Sequence, residues 1–163
     1  MQVTKRIELD YGHTLPEHYG YCSMCHGHRA TIEATVEGGI IQEGSSHGMV
    51  MDFGIVKKVM MEKIHTVLDH GFAVWKGDTK LIKVATSTAD VYVSTLDFIR
   101  SRNTKCLVLD DPPTAETLAK WCFYQIKDHM APAKLVKIRF FETPNSVADY
   151  TYRDLLDSIH DPL

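Results

Sequence analysis

His26-Gly27-His28 sets two imidazoles two residues apart. In an extended strand, residues i and i+2 point the same way, roughly 6.5–7 Å apart along the backbone. Two rings at that separation can converge on one metal ion, and the small Gly27 between them lets another group approach closely. His13 continues the parity of Ile7, Leu9 and Tyr11, and from a neighbouring strand it would supply a third nitrogen. Three protein ligands with an open position is the pattern of catalytic zinc. A strand histidine beside a loop histidine gives the same local string, so it is His13 in phase that tips the reading toward metal.

Other residues carry chemistry of their own. Cys22-Ser23-Met24-Cys25-His26 contains C-x-x-C and, read literally, the C-x-x-C-H of haem attachment. Haem attachment requires export, and a thioredoxin-like redox pair sits near a βαβ pattern, which is missing here. Cys106 and Cys122 are isolated among apolar residues and read as core. In Asp69-His70 a carboxylate beside an imidazole can orient it and raise its basicity. A helix C-terminus that favours an imidazolium would explain the same pair. Glu142 falls on the apolar parity of its strand, where an ionisable group is costly unless paired. It is either a paired structural acid or an anchor for a guanidine-like ring edge, as in pterins and guanines, which presents two parallel N–H groups.

The elements that must position these groups follow from periodicity. Alternation over Ile7, Leu9 and Tyr11 predicts a first strand, and His28, Ala30, Ile32, Ala34 and Val36 a second, broken at Gly38-Gly39. Phe53, Val56, Met60, Ile64 and Val67 form a helical stripe starting near Asp52. That helix ends near Asp69-His70-Gly71, with Gly71 as the stop. Thr114 caps a second helix with stripe Ala115, Leu118, Ala119, Cys122 and Ile126, stopped by Ala131-Pro132. Leu135–Thr143 is a strand with Val136, Ile138 and Phe140 on one face, and Tyr150-Thr151-Tyr152 a last short one. Within 71–111, Val91–Val93 and Cys106–Leu109 read as short strands and Lys76–Asp78 as a turn. The order β-β-α-α-β-β predicts an α+β fold with an antiparallel sheet. Residues 1–163 read as one domain, with 71–111 an extended insertion between the two helices.

Composition sets the outer limits. The chain has 163 residues, 44% hydrophobic and 24% charged, with nine His and four Cys. This is globular composition and argues against disorder or a coiled coil. The net charge of −3 gives no basic excess that would point to nucleic acid. No apolar run approaches the roughly 20 residues of a membrane span, and the first residues lack a signal-peptide core. A cytoplasmic protein is the expectation, with thiols free, metal-bound or catalytic rather than bridged.

Taken in order, the motifs resemble the 6-pyruvoyltetrahydropterin synthase / 6-carboxytetrahydropterin synthase family. They are His13-Thr14-Leu15, His26-Gly27-His28, Gly48-Met49-Val50-Met51-Asp52-Phe53, Leu68-Asp69-His70, Pro113-Thr114-Ala115-Glu116 and Glu142-Thr143. The resemblance implies the tunnelling fold: a four-stranded antiparallel sheet with two helices between strands two and three. Subunits of this fold join their sheets into barrels, here as a homohexamer of two trimers. It also implies that His13, His26 and His28 hold Zn2+. Cys22 would abstract a proton, Asp69 and His70 would form the partner acid–base group, and Glu142 would anchor the pterin ring. Residues around Thr114 would line the same pocket.

Cys22 and His26 fit the C-x-x-x-H-G-H spacing of the carboxy-forming branch; the pyruvoyl-forming branch places its thiol two residues further away. The resemblance thus implies conversion of 7,8-dihydroneopterin triphosphate to 6-carboxy-5,6,7,8-tetrahydropterin, with release of acetaldehyde and triphosphate. That is a step toward 7-deazaguanine bases such as queuosine. The alternatives are the pyruvoyl-forming synthase, a non-catalytic pterin- or purine-binding protein of the same fold, and a redox or metal-sensing module using Cys22 and Cys25. The chain departs from the family at Leu9 and Tyr11, where Phe and Ala are usual, and at Gly71-Phe72-Ala73-Val74, which replaces the usual Leu-Asn.

Overall fold

The computed structural model describes residues 1–85 and 90–160. Strand β1 (Gln2–His13) pairs antiparallel with β2 (His26–Glu37) along its whole length, from Gln2 opposite Glu37 to His13 opposite His26. Helix α1 (Phe53–Met60) runs on through a π-helical turn at Met61–His65 into a last α turn at Thr66–Leu68. Then come β3 (Gly71–Trp75), β4 (Leu81–Ala85), β5 (Asp90–Ser94), α2 (Thr95–Ser101) and β6 (Lys105–Leu109). Helix α3 (Ala115–Ile126), β7 (Lys134–Thr143), β8 (Ser146–Thr151) and α4 (Tyr152–His160) complete the order.

The expected antiparallel sheet is there as β1-β2-β7-β8, with α1 and α3 between its second and third strands. It is also larger than expected. Strand β3 joins β1 in parallel at Tyr11–His13, and β6 joins β3, so the sheet has six strands in the order β6-β3-β1-β2-β7-β8. The expected strand at Cys106–Leu109 is therefore real and lies at this new edge. The one at Val91–Val93 is part of β5, which pairs antiparallel with β4 in a separate two-stranded sheet. Residues 86–89 of the 71–111 stretch lie outside the described residues.

Alternation decides the two faces of the sheet. Ile7, Leu9, Ala30, Ile32, Ala34, Val36, Ile138 and Phe140 are buried under the helices. The opposite face carries cross-strand ion pairs, Arg6 with Glu33, Asp10 with Arg29 and Arg139 with Asp149. Two stripes differ from the simple periodic reading. In α1 the buried series is Val56, Met60, Ile64 and Leu68, while Phe53 and Val67 are exposed. The wider π turn moves the phase by about one residue. In β7 Leu135 is buried instead of Val136, because the register slips where Thr35 pairs with Lys137 but Val36 with Leu135. Cys122 is fully buried, as expected of core, and Cys106 only partly.

Helix caps follow the sequence closely. Asp52 accepts from the Gly54 N–H at 2.6 Å and starts α1, and Thr114 accepts from the Thr117 N–H at 3.3 Å and starts α3. Tyr152 opens α4 rather than ending a strand. The Thr151 N–H and Oγ1 donate to Asp154 at 2.7 and 2.6 Å, and these bonds hold its carboxyl below the usual 3.8. A carboxyl lowered by folding contributes stability above its unfolded value and loses it as pH falls through the folded one. Asp154→Ala is therefore expected to lower stability by about 1 kcal/mol at neutral pH. In urea melts, that deficit should shrink below pH 4 as the parent loses its own cap.

Candidate metal centre and acid–base site

The last residue of β1 and the first and third of β2 bring His13, His26 and His28 together. One ring nitrogen from each lies within 4.8 Å of the others, and the ring centroids are 4.5–5.1 Å apart. The strand register does this: His13 faces His26 directly, and His28 projects from the same face two residues on.

Hydrogen bonds fix which nitrogens face inward. His13 Nδ1 is 2.7 Å from the Pro113 carbonyl, and His26 Nδ1 is 2.8 Å from the Met24 carbonyl. A carbonyl only accepts, so both Nδ1 atoms carry the proton. In neutral rings both Nε2 atoms are then bare lone pairs, yet they stand 3.0 Å apart. Two lone pairs at that distance repel unless a cation or proton lies between them. His28 Nε2 is buried and has no hydrogen-bond partner among the described residues. Burial lowers the pKa of His13 and of His28 below the usual 6.5, despite the opposing charge of Glu142. Neutral imidazoles are what a metal ion binds, and ligand histidines usually donate their outer N–H to a carbonyl or carboxylate. The donor set thus fits a divalent metal that accepts nitrogen ligands.

Around this centre stand three further groups. Glu142 Oε1 is 3.6 Å from His13 Nε2 and 3.9 Å from His28 Nε2. Cys22 is half-buried in a short 3-10 turn (Tyr21–Ser23). Its carbonyl accepts from the Leu15 N–H at 2.8 Å, and the Thr14 hydroxyl donates to the Ser23 carbonyl at 2.9 Å. These bonds tie the Cys22 turn to the residues that follow His13. Tyr11 is buried, with its ring centroid 5.2 Å from that of His13 and 6.0 Å from that of His28.

Asp69 and His70 form a pair of their own. His70 Nδ1 is 2.7 Å from Asp69 Oδ2, and the Asp10 N–H donates to Asp69 Oδ1 at 3.0 Å. Burial works to raise the Asp69 carboxyl, but the Asp10 N–H, His70 and His65 together hold it below its usual range. The helix-stop role expected of Gly71 falls to His70, whose φ of 53° is left-handed. Such a conformation is uncommon outside glycine and recurs at functional sites. Gly71 has its own constraint, since a Cβ there would sit 2.9 Å from the Leu68 carbonyl oxygen.

Among the described residues, Asp69 and His70 make no hydrogen bond or ion pair with the three imidazoles of their own chain. They bond instead to the backbone of Asp10, its N–H donating to Asp69 and its carbonyl accepting from the His70 N–H, while His65 stands 3.8 Å from Asp69. His70 borders a shallow groove of about 440 Å³ with Asp10, Tyr11, Gly12, Gly27, His28 and Arg29. Thr114 is near the centre through Pro113, but its hydroxyl oxygen is engaged as the α3 cap.

Sequence reasoning missed the orienting groups, namely the carbonyls of Pro113 and Met24, the Asp10 N–H and His65. Backbone partners leave no residue-type signal, and every position offers the same atoms. Tyr11 did leave a signal, as a bulky residue on the site's parity.

A cluster of three imidazoles at the end of the β1–β2 pair, with helices on one face of the sheet and an Asp–His pair bonded to the β1 backbone, defines a metal-competent α+β enzyme scaffold. The 6-pyruvoyl tetrahydropterin synthase family model matches residues 2–153, and the chain belongs to that family. A Haemophilus influenzae relative named 6-carboxy-5,6,7,8-tetrahydropterin synthase is 28% identical over 91% of this chain and 97% of its own. A Rickettsia bellii relative of the same name is 29% identical over 89% and 96%. Among solved structures, Plasmodium vivax 6-pyruvoyltetrahydropterin synthase has the same fold, with TM-score 0.63, 17% identity, and coverage of 92% of this chain and 97% of that one. The uncharacterized protein WS1659 from Wolinella succinogenes shares it at TM-score 0.69 and 20% identity, covering 93% and 98%.

Proposed function

We propose that the protein converts 7,8-dihydroneopterin triphosphate to 6-carboxy-5,6,7,8-tetrahydropterin, releasing acetaldehyde and triphosphate, in the cytoplasmic synthesis of 7-deazaguanine bases such as queuosine. The observation that carries this reading is the Cys22 turn, bonded to the residue two past His13 and spaced as C-x-x-x-H-G-H from the imidazole cluster. The names of the relatives above support the same branch.

In this reading His13, His26 and His28 hold Zn2+, which when bound polarises oxygens of the substrate side chain and makes the adjacent protons more acidic. Cys22, as thiolate, takes a proton from that side chain. His70, oriented by Asp69, moves a proton at a second carbon. Glu142 receives the paired N–H groups of the pterin ring, and Thr114 lines the pocket. The chain works as a homohexamer of two trimers with joined sheets, which removes exposed strand edges.

Product analysis tests it. Zinc-loaded protein incubated with 7,8-dihydroneopterin triphosphate is expected to release acetaldehyde and triphosphate in equal amounts. Accumulation of a 6-pyruvoyl product would move the chain to the other branch of its family. Binding without turnover would leave a pterin-binding protein.

A further inference from the structure

We propose that the Tyr11 hydroxyl is a substrate-contacting donor of this site, giving its hydrogen bond to an acceptor on the pterin ring beside the N–H pair taken by Glu142. The inference rests on the pterin reading above and adds a residue to it.

Three observations carry it. First, the hydroxyl oxygen is buried and has no hydrogen-bond partner among the described residues. A buried unmade hydrogen bond is costly, and native proteins seldom leave one without a reason. Second, the ring is wedged where the chemistry converges. It lies 5.2 Å from the His13 ring, 6.0 Å from the His28 ring and 5.9 Å from the ring of Phe140, which precedes Glu142 by two residues on the same face of β7. Ala30, fully buried on the same face of β2, carries only a methyl group and leaves the phenol its space. Third, Glu142 is close enough to act on the phenol both through its charge and through a weak hydrogen-bond contact, yet the pair falls short of a well-formed hydrogen bond. The hydroxyl and the carboxylate are therefore neighbours that leave each other incompletely satisfied.

The chemistry of a pterin edge completes the argument. Its N3–H and 2-amino group form a donor pair, flanked on one side by the C4 carbonyl and on the other by N1. A carboxylate takes the donor pair, and the flanking acceptors then call for a donor beside the carboxylate. A neutral phenol supplies that donor. A purine-like ring with the same edge would be held equally well, whereas a ring without the flanking acceptor would leave the hydroxyl unpaired.

Tyr11→Phe removes one oxygen and keeps the ring. On zinc-loaded protein, equilibrium binding of 7,8-dihydroneopterin is expected to weaken roughly 5- to 20-fold. Zinc per chain should not change. The thermal midpoint should stay level or rise, since an unpaired buried hydroxyl is replaced by hydrogen. A lower midpoint with unchanged pterin affinity would make the hydroxyl structural and overturn the proposal. Equal affinity in parent and variant would overturn it alone, because the parent still binds pterin. A parent that binds no pterin would overturn the functional reading and this one together.

Discussion

His28→Ala is expected to leave a folded chain that no longer retains a metal ion, with turnover at least about a thousandfold lower, since a metal contributes several kcal/mol to such reactions. His28 is a sharper probe than His13. Truncating His13 would empty a fully buried position and strip the Pro113 carbonyl of its donor. Its loss would mix folding with chemistry. His28 Nε2 has no hydrogen-bond partner to lose among the described residues, and the ring keeps some exposure. The metal-free variant should therefore melt close to the metal-free parent, and the difference should appear only when zinc is added. Zinc per chain by mass spectrometry and the zinc-induced rise in melting temperature measure this directly. Two imidazoles would remain, one short of the three protein ligands that zinc sites take, and His28→Ala combined with Glu142→Gln excludes the neighbouring carboxylate as a replacement ligand. Stoichiometric zinc with parental turnover in the variant would remove the three-histidine centre.

The histidine cluster was legible because its signals are local in sequence and amplified by register. His26 and His28 share a parity, and His13 continues another strand's buried series, so one antiparallel pairing brings all three together. The caps at Asp52 and Thr114 were legible for a similar reason, since each acts within three residues of itself. What escaped depends on pairing at long range. Strand β3 is a five-residue run whose partners are the last three residues of β1, some 60 positions earlier, and β6. A short apolar run has no period to reveal it. The π turn in α1 moved the buried stripe from Val67 to Leu68 without any breaker residue to announce it. The family resemblance supplied roles for Cys22, Asp69, His70 and Glu142. It did not indicate that Asp69 and His70 bond to the backbone of Asp10 near the end of β1. That relation appears only once β1 is placed in the sheet.

From that placement comes the second large expected effect. Cys22→Ala and His70→Ala are each expected to lower kcat by about a thousandfold, as removal of a proton-transferring group does. Both variants keep His13, His26 and His28, so zinc per chain should remain parental. The Cys22 turn is bonded to the residues after His13, whereas His70 bonds to the Asp10 backbone and borders a groove with Asp10, Tyr11, His28 and Arg29. If one chain's thiol met its own His70, mixtures of the two variants would stay inactive, since no chain carries both groups. In the proposed hexamer the joined sheets would let the thiol of one subunit meet the Asp69–His70 pair of another. A site then needs Cys22 from one chain and His70 from its neighbour. With random reassociation of equal amounts, each condition holds half the time, so about a quarter of parental activity should return. The variants should be dissociated, mixed and reassembled before assay, with each variant treated alone as control. Recovery near that fraction would place the acid–base pair and the thiol on different subunits, and recovery indistinguishable from zero would confine them to one chain.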